Sequence, residues 1–255
     1  MKLRIAALSI AVAACAFGAK PTATDIMKKV DYLSEQTGDV SARVTILQQK
    51  TGQGIKQLEM RYFRRDKTDS FMMIIDKPDA DKGNGYLKVG DDMWMYRKNT
   101  RTFTHINRDE TIEGSDAKAG DFEERKLVDQ YKPLKDAKGI EIVEETTLGK
   151  NSLPVYKITL IAFKNDVTYP KQEMWVDRDL LLPRQVKAYS LSGTLMSTVI
   201  YREYTIIDGK YVPVKTTFID EFEKGNLSGM QITDIKTDPI SETIFTKAYL
   251  ENLSK

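Results

Sequence analysis

Phe71-Met72-Met73-Ile74-Ile75 and, after a polar loop, Gly85-Tyr86-Leu87-Lys88-Val89-Gly90-Asp91-Asp92-Met93-Trp94-Met95-Tyr96 decide how this chain folds. The first run is apolar at every position, so both faces of a strand there must be covered. In the second, two β-type runs flank Gly90-Asp91-Asp92, a tight-turn signal because glycine accepts positive φ and aspartate can hydrogen-bond its own backbone. The reading is a hairpin. Thr102-Phe103-Thr104-His105-Ile106 alternates and adds a further strand before Gly114-Ser115-Asp116 breaks the pattern.

Working outward, Ala42, Val44 and Ile46 share one face of a period-two run, and Leu58, Met60 and Tyr62 repeat the pattern. Upstream, Ile26, Met27, Val30 and Leu33 recur at helical spacing, with Thr24 or Asp25 to cap the helix and Gly38 beyond its end. Residues 107–139 read as an excursion containing a short helix over Asp121–Asp129. Beyond it lie Ile140–Thr147, Leu153–Phe163, Gln172–Asp177, Pro183–Tyr189, Leu195–Ile207, Lys210–Asp220 and Asn226–Lys236, separated by turn signals such as Asp208-Gly209. Strands joined by such short turns run antiparallel. Ile158, Leu160, Met174, Val176, Val212, Val214, Phe218, Met230 and Ile232 fall on one face, Lys157, Glu173, Lys215 and Gln231 on the other. Phe245–Leu253 offers a short closing helix.

The expected fold is mainly β (α+β). It is one strongly curved antiparallel sheet of about eleven strands, an incomplete barrel with short helices as lid or plug. Each side chain buried from the apolar face contributes about 1.5–3 kcal/mol, so that face must be closed by its own side chains, by the helices, or by an apolar guest.

At the N-terminus, Lys2 and Arg4 precede an apolar run from Ile5 to Ala14 and then small residues, the pattern of an export signal over residues 1–19. Ala16-Phe17-Gly18 fits cleavage near Ala19. Val12-Ala13-Ala14-Cys15 instead resembles a lipobox, in which Cys15 becomes the acylated first residue. Either way residues 20–255 form a single unit that works outside the cytoplasm, in the periplasm, anchored or free. Cys15 is the only cysteine, so no disulfide is available.

The 39 basic residues balance the 37 acidic ones once Lys2 and Arg4 are removed, and no basic stripe favours nucleic acid. His105 is the only histidine and sits in an alternating strand, where a structural or surface role is expected. No Gly-x-Ser-x-Gly turn presents a nucleophile, and one histidine without a cysteine pair cannot assemble the usual zinc sets. Asp79 and Asp81 have part of a calcium-loop spacing but no glutamate at the twelfth position. The expectation is no enzyme, no metal and no cofactor. What the sequence does offer is soft apolar surface. Met60, Met72, Met73, Met93, Met95, Met174 and Met230 fall on strands near Trp94, Tyr96 and Trp175, and methionine adapts to irregular partners.

Trp94-Met95-Tyr96 after the Gly90-Asp91-Asp92 turn, followed by Gly114-Ser115-Asp116 and Asp121-Phe122, resembles the outer-membrane lipoprotein-sorting protein family. That family looks like a distant branch of the lipoprotein carrier LolA and its receptor LolB. The resemblance covers the chain from about Asp25 to its end. It implies an incomplete barrel with a helical lid over a cavity for acyl chains, exchanged between an inner-membrane transporter and an outer-membrane acceptor. Joined to the apolar face, it nominates Leu58, Met60, Tyr62, Phe71, Met73, Trp94, Tyr96, Ile158, Leu160, Met174, Val176, Phe218 and Ile232 as cavity residues. The carrier's lid-holding arginine corresponds to Arg64, which shares parity with Leu58, Met60 and Tyr62, whereas Arg65 is expected to face solvent. Arg97 stands where family members often have proline, and Gly120 where they have an aromatic or acidic residue. The other function of this fold is a sensor or scaffold that binds a protein partner.

Overall fold

The computed structural model describes residues 20–36, 38–123 and 125–253. The expected export signal and Cys15 lie outside the described residues. Helix α1 (Ala23–Ser34) opens the chain, its N-cap Thr22 accepting from the Asp25 amide while Asp25 returns the bond to the Thr22 backbone. Thr22 therefore caps the helix, and Thr24 instead hydrogen-bonds Glu141 at 2.6 Å.

The strands follow as β1 (Asp39–Lys50), β2 (Gly54–Arg65), β3 (Ser70–Lys77), β4 (Gly85–Val89), β5 (Asp92–Arg97) and β6 (Thr102–His105). After a 3-10 turn at Ala119–Phe122 come the one-turn helix α2 (Leu127–Gln130) and β7 (Tyr131–Pro133). The rest are β8 (Val143–Leu148), β9 (Leu153–Ala162), β10 (Lys171–Asp177), β11 (Pro183–Tyr189), β12 (Leu195–Ile207), β13 (Lys210–Asp220) and β14 (Leu227–Lys236), then a 3-10 turn at Glu242–Phe245 and helix α3 (Lys247–Asn252).

All fourteen strands join one antiparallel sheet in the order β6-β5-β4-β3-β2-β1-β14-β13-β12-β11-β10-β9-β7, with β8 pairing β9. The sheet does not close. Its last strand folds back beside its first through the β1–β14 ladder, where Val44 pairs with Ile232 and Ile46 with Met230. Fourteen strands stand where about eleven were expected, and β7 is drawn from the excursion.

The double-sided reading of β3 is physical fact. Phe71, Met73 and Ile75 enter the core under the concave face with Leu58, Met60, Tyr62 and Met93. Met72 and Ile74 enter a separate core on the convex face with Leu87, Tyr96, Phe245 and Leu250. The C-terminal segment is therefore a clamp on the outside of the barrel, not a lid over its mouth. Arg65 points into that clamp, paired bidentately with Asp39 at 2.7 and 2.8 Å, bonded to the Ile240 carbonyl and stacked over Phe245. It is not solvated as the parity argument alone implied, because the returning chain covers it.

Gly85 makes the clamp possible. A Cβ there meets Leu250 Cδ2 at 2.6 Å and the Met73 carbonyl at 2.7 Å. Gly85→Ala is expected to lose about 1–3 kcal/mol of stability by overpacking, read from the denaturant midpoint; an unchanged midpoint would show that α3 is not held this tightly.

Candidate functional site

Two inserts plug the concave face. Helix α1 lays Ala23, Ile26, Met27 and Val30 over Ile158, Leu160, Met174, Val176 and Val186. It is tied to α2 by Asp31, whose carboxylate accepts the Leu127 and Val128 amides at 2.8 and 3.1 Å. Burial raises the Asp31 pKa, and those two amides oppose the rise. The second insert is the excursion, which buries Ile112, Ala117, Ala119 and Phe122 against the concave face of β2, β3 and β5. It is not a helix over 121–129. Its backbone turns at Ala119–Phe122, because the Glu123 side chain is drawn into a buried ion cluster instead of pointing to water. The Tyr62 hydroxyl donates to the Phe122 carbonyl at 2.7 Å, and the rings lie 5.7 Å apart, which pins the insert to β2.

The inserts do not fill the space. One hollow of about 260 Å³ lies between the excursion and the sheet, lined on the sheet side by Met174, Val186, Val199, Tyr201, Thr216, Phe218 and Met230, and on the other by Asp121, Leu127 and Tyr131. A second, of about 130 Å³, lies across Asp121-Phe122 and is lined by Val40, Ala42, Tyr62, Arg64, Val212 and Ile232. Both volumes fall at or below the smaller end of ligand cavities, about 300–1,000 Å³. The Asp121-Phe122 turn is the partition between them.

The first hollow opens toward a charged cleft of about 710 Å³, with Arg108, Arg125 and Gln130 lining both. Asp66, Asp69, Asp91, Lys164 and Asp166 surround that cleft, and Arg125 holds Asp166 at 2.7 Å. Just inside it, Lys88 is fully buried. Its ammonium meets the Asp69 carboxylate and lies 3.4 Å from Glu123 Oε2, while Arg108 lies 2.9 Å from Glu123 Oε1. Burial raises the Glu123 pKa against the pull of Arg108 and Lys88.

Asp121 is crowded by the surrounding chain, but its own surface is exposed to free volume, since it lines both hollows. Its Oδ2 accepts the Lys118 amide at 2.7 Å. Burial pushes its pKa up to about 6, with the neighbouring Glu123 carboxylate adding to the rise and Lys118 opposing it.

The nominated residues divide four ways. Tyr62, Met174, Phe218 and Ile232 line the hollows. Leu58, Met60, Phe71 and Met73 lie under the excursion, and Ile158, Leu160 and Val176 under α1. Trp94 and Tyr96 are on the wrong face for a cavity: because Met93 and Met95 take the concave side of β5, their neighbours must take the convex one. There Tyr96 stacks on Phe103 at 4.7 Å, and Lys247 lies 4.2 Å over Trp94. Arg64 faces the second hollow, as its parity indicated, and forks onto the Asp66 carboxylate, with one bond of 2.7 Å. His105 is exposed, 3.2 Å from Asp92 and edge-on to Trp94. Asp81, from the loop with calcium-like spacing, pairs with Lys56 at 2.9 Å, and no group of metal-ligating side chains occurs among the described residues. Asp121, Val186, Val199, Tyr201, Thr216 and Met230 join the site without having been nominated. The period-two pattern places the five strand residues on the concave face but cannot tell which part of that face the inserts leave uncovered, and Asp121, in the turn of the excursion, carries no such signal.

No helix among the described residues is long and apolar enough to cross a membrane. No curated protein matches the chain in sequence. Solved structures share its fold, among them the following three. A LolA superfamily protein from Nitrosomonas europaea is 20% identical with a TM-score of 0.74, over 90% of this chain and 100% of that one. A putative outer membrane lipoprotein-sorting protein domain from Vibrio parahaemolyticus is 20% identical with a TM-score of 0.75, over 89% and 97%. A DUF1329 family protein from Desulfovibrio piger is 18% identical with a TM-score of 0.75, over 89% and 96%. A family model described as "-like: Uncharacterized protein" matches residues 67–252. The chain belongs to the family of that model, and its architecture is a LolA-like fold.

Proposed function

We propose that this protein is a periplasmic carrier or binding protein for acylated molecules, acting in outer-membrane lipoprotein sorting. The observation that supports this most directly is the free volume left under a curved, largely apolar sheet. Guest acyl chains enter the hollow between the excursion and the sheet. Movement of the Asp121-Phe122 partition merges the two hollows and uncovers Leu58, Met60, Phe71 and Met73. The work is reversible sequestration of apolar area from water, at about 0.8 kcal/mol per buried methylene, and no reaction is catalysed.

The protein carries out this work as one LolA-like unit after its leader is cut, either near Ala19, which discards Cys15, or before Cys15, which is then acylated. Names of structures on the same fold, which describe lipoprotein sorting and the LolA superfamily, fit an inner-membrane transporter and an outer-membrane acceptor as partners. Arg64, between the second hollow and Asp66, is the latch of the closed state.

Titration with a fluorescent fatty acid tests the reading. Saturable one-to-one binding is expected, with release several-fold faster from Arg64→Leu than from the native chain. Absence of binding would overturn the carrier function, and unchanged release would remove Arg64 as the latch.

A further inference from the structure

The larger hollow is not uniformly apolar. Tyr201 on β12 and Thr216 on β13 are direct cross-strand partners, so their side chains stand together on the concave face. The Thr216 hydroxyl is buried without a hydrogen-bond partner, a state that ordinarily costs about 1–3 kcal/mol. The Tyr201 hydroxyl makes no hydrogen bond with any described residue, and burial together with the Asp121 charge keeps it protonated. Asp121 lines the same hollow from the opposite side, with one bond, from Lys118, on its carboxylate. Around these three groups the wall is Met174, Val186, Val199 and Phe218.

A hydrocarbon tail alone answers neither hydroxyl and adds nothing to the single bond on the Asp121 carboxylate. An ammonium group has donors only. It can donate to the carboxylate and to the hydroxyl oxygens, but it leaves the tyrosine and threonine O–H donors without an acceptor. An aliphatic hydroxyl does both: its hydrogen goes to the Asp121 carboxylate, and its oxygen accepts from Tyr201 or Thr216. We propose that the hollow selects acyl chains bearing a hydroxyl group, which is held between Asp121 on the insert and the Tyr201–Thr216 pair on the sheet. This rests on the carrier reading and narrows its substrate class. The hydroxyl could belong to the chain itself or to a glycerol ester beside it.

Isothermal titration of the full mature chain with decanoic acid, 3-hydroxydecanoic acid and 1-monodecanoylglycerol tests it. At least one hydroxylated probe is expected to bind about tenfold more tightly than decanoic acid, and which one does so distinguishes chain from glycerol. The double variant Tyr201→Phe, Thr216→Val is expected to abolish that preference, its affinities for the three probes lying within about a factor of two of one another. Equal affinities for all three probes in the native chain would overturn the hydroxyl selection and leave the carrier reading standing. Binding of none of them would overturn both. A preference that survives in the double variant also overturns the assignment, and the native-chain comparison decides the matter even if the variant does not fold.

Discussion

Lys88→Met is expected to remove about 3–5 kcal/mol of folding free energy, seen as a lower urea midpoint at unchanged slope. The loss arises because Lys88 and Glu123 both have wholly buried side chains. Deleting the ammonium leaves the Glu123 carboxylate to Arg108 alone, in a place where water cannot compensate it. The deficit should shrink in acid, since Glu123 has a raised pKa and becomes neutral as pH falls. A second change, Glu123→Met on the Lys88→Met background, should recover much of the loss, because well-packed apolar replacements for a buried ion pair are tolerated. A single variant as stable as the native chain would show that the cluster does not hold the excursion in place.

Asp121→Asn should change the pH dependence of stability. Asp121 titrates near 6 in the fold against an ordinary value of 3.8. Between those values the native state keeps a proton that the unfolded chain has lost, so native stability falls as pH rises through the window and the penalty is complete above it. The groups acting on Asp121 are Lys118, which favours its charge, and Glu123, which opposes it; Tyr201 feels the same charge from the sheet. Asparagine has no proton to lose, and its carbonyl can still accept the Lys118 amide. The variant is therefore expected to melt several degrees higher than the native chain above pH 6 and to match it below pH 4. Parallel melting curves across that range would mean that Asp121 is well solvated.

Much of the architecture was legible because its physics is local. A run apolar at each position from Phe71 to Ile75 demanded cover on both faces, and both cores exist. Turns such as Gly90-Asp91 and Asp208-Gly209 set antiparallel neighbours, and helical spacing from Ile26 to Leu33 gave α1 its buried stripe. What the sequence concealed depends on long-range packing. Asp121–Asp129 has the composition of an exposed helix, but Lys88 and Arg108, far away in sequence, draw Glu123 inward and break it. Trp94 and Tyr96 look like cavity aromatics until the C-terminal segment returns to cover the convex face. The hollow itself is a remainder, the volume that two inserts fail to fill, and no pattern of single residues encodes a remainder.

The most direct measurement is native mass spectrometry of the protein gently purified from cell envelopes, followed by organic extraction of whatever accompanies it. A population heavier than the mature polypeptide, releasing an acylated molecule on extraction, is the predicted result. A mass equal to the bare chain, or a stable complex with another protein and no lipid, would contradict the carrier account and favour a scaffold.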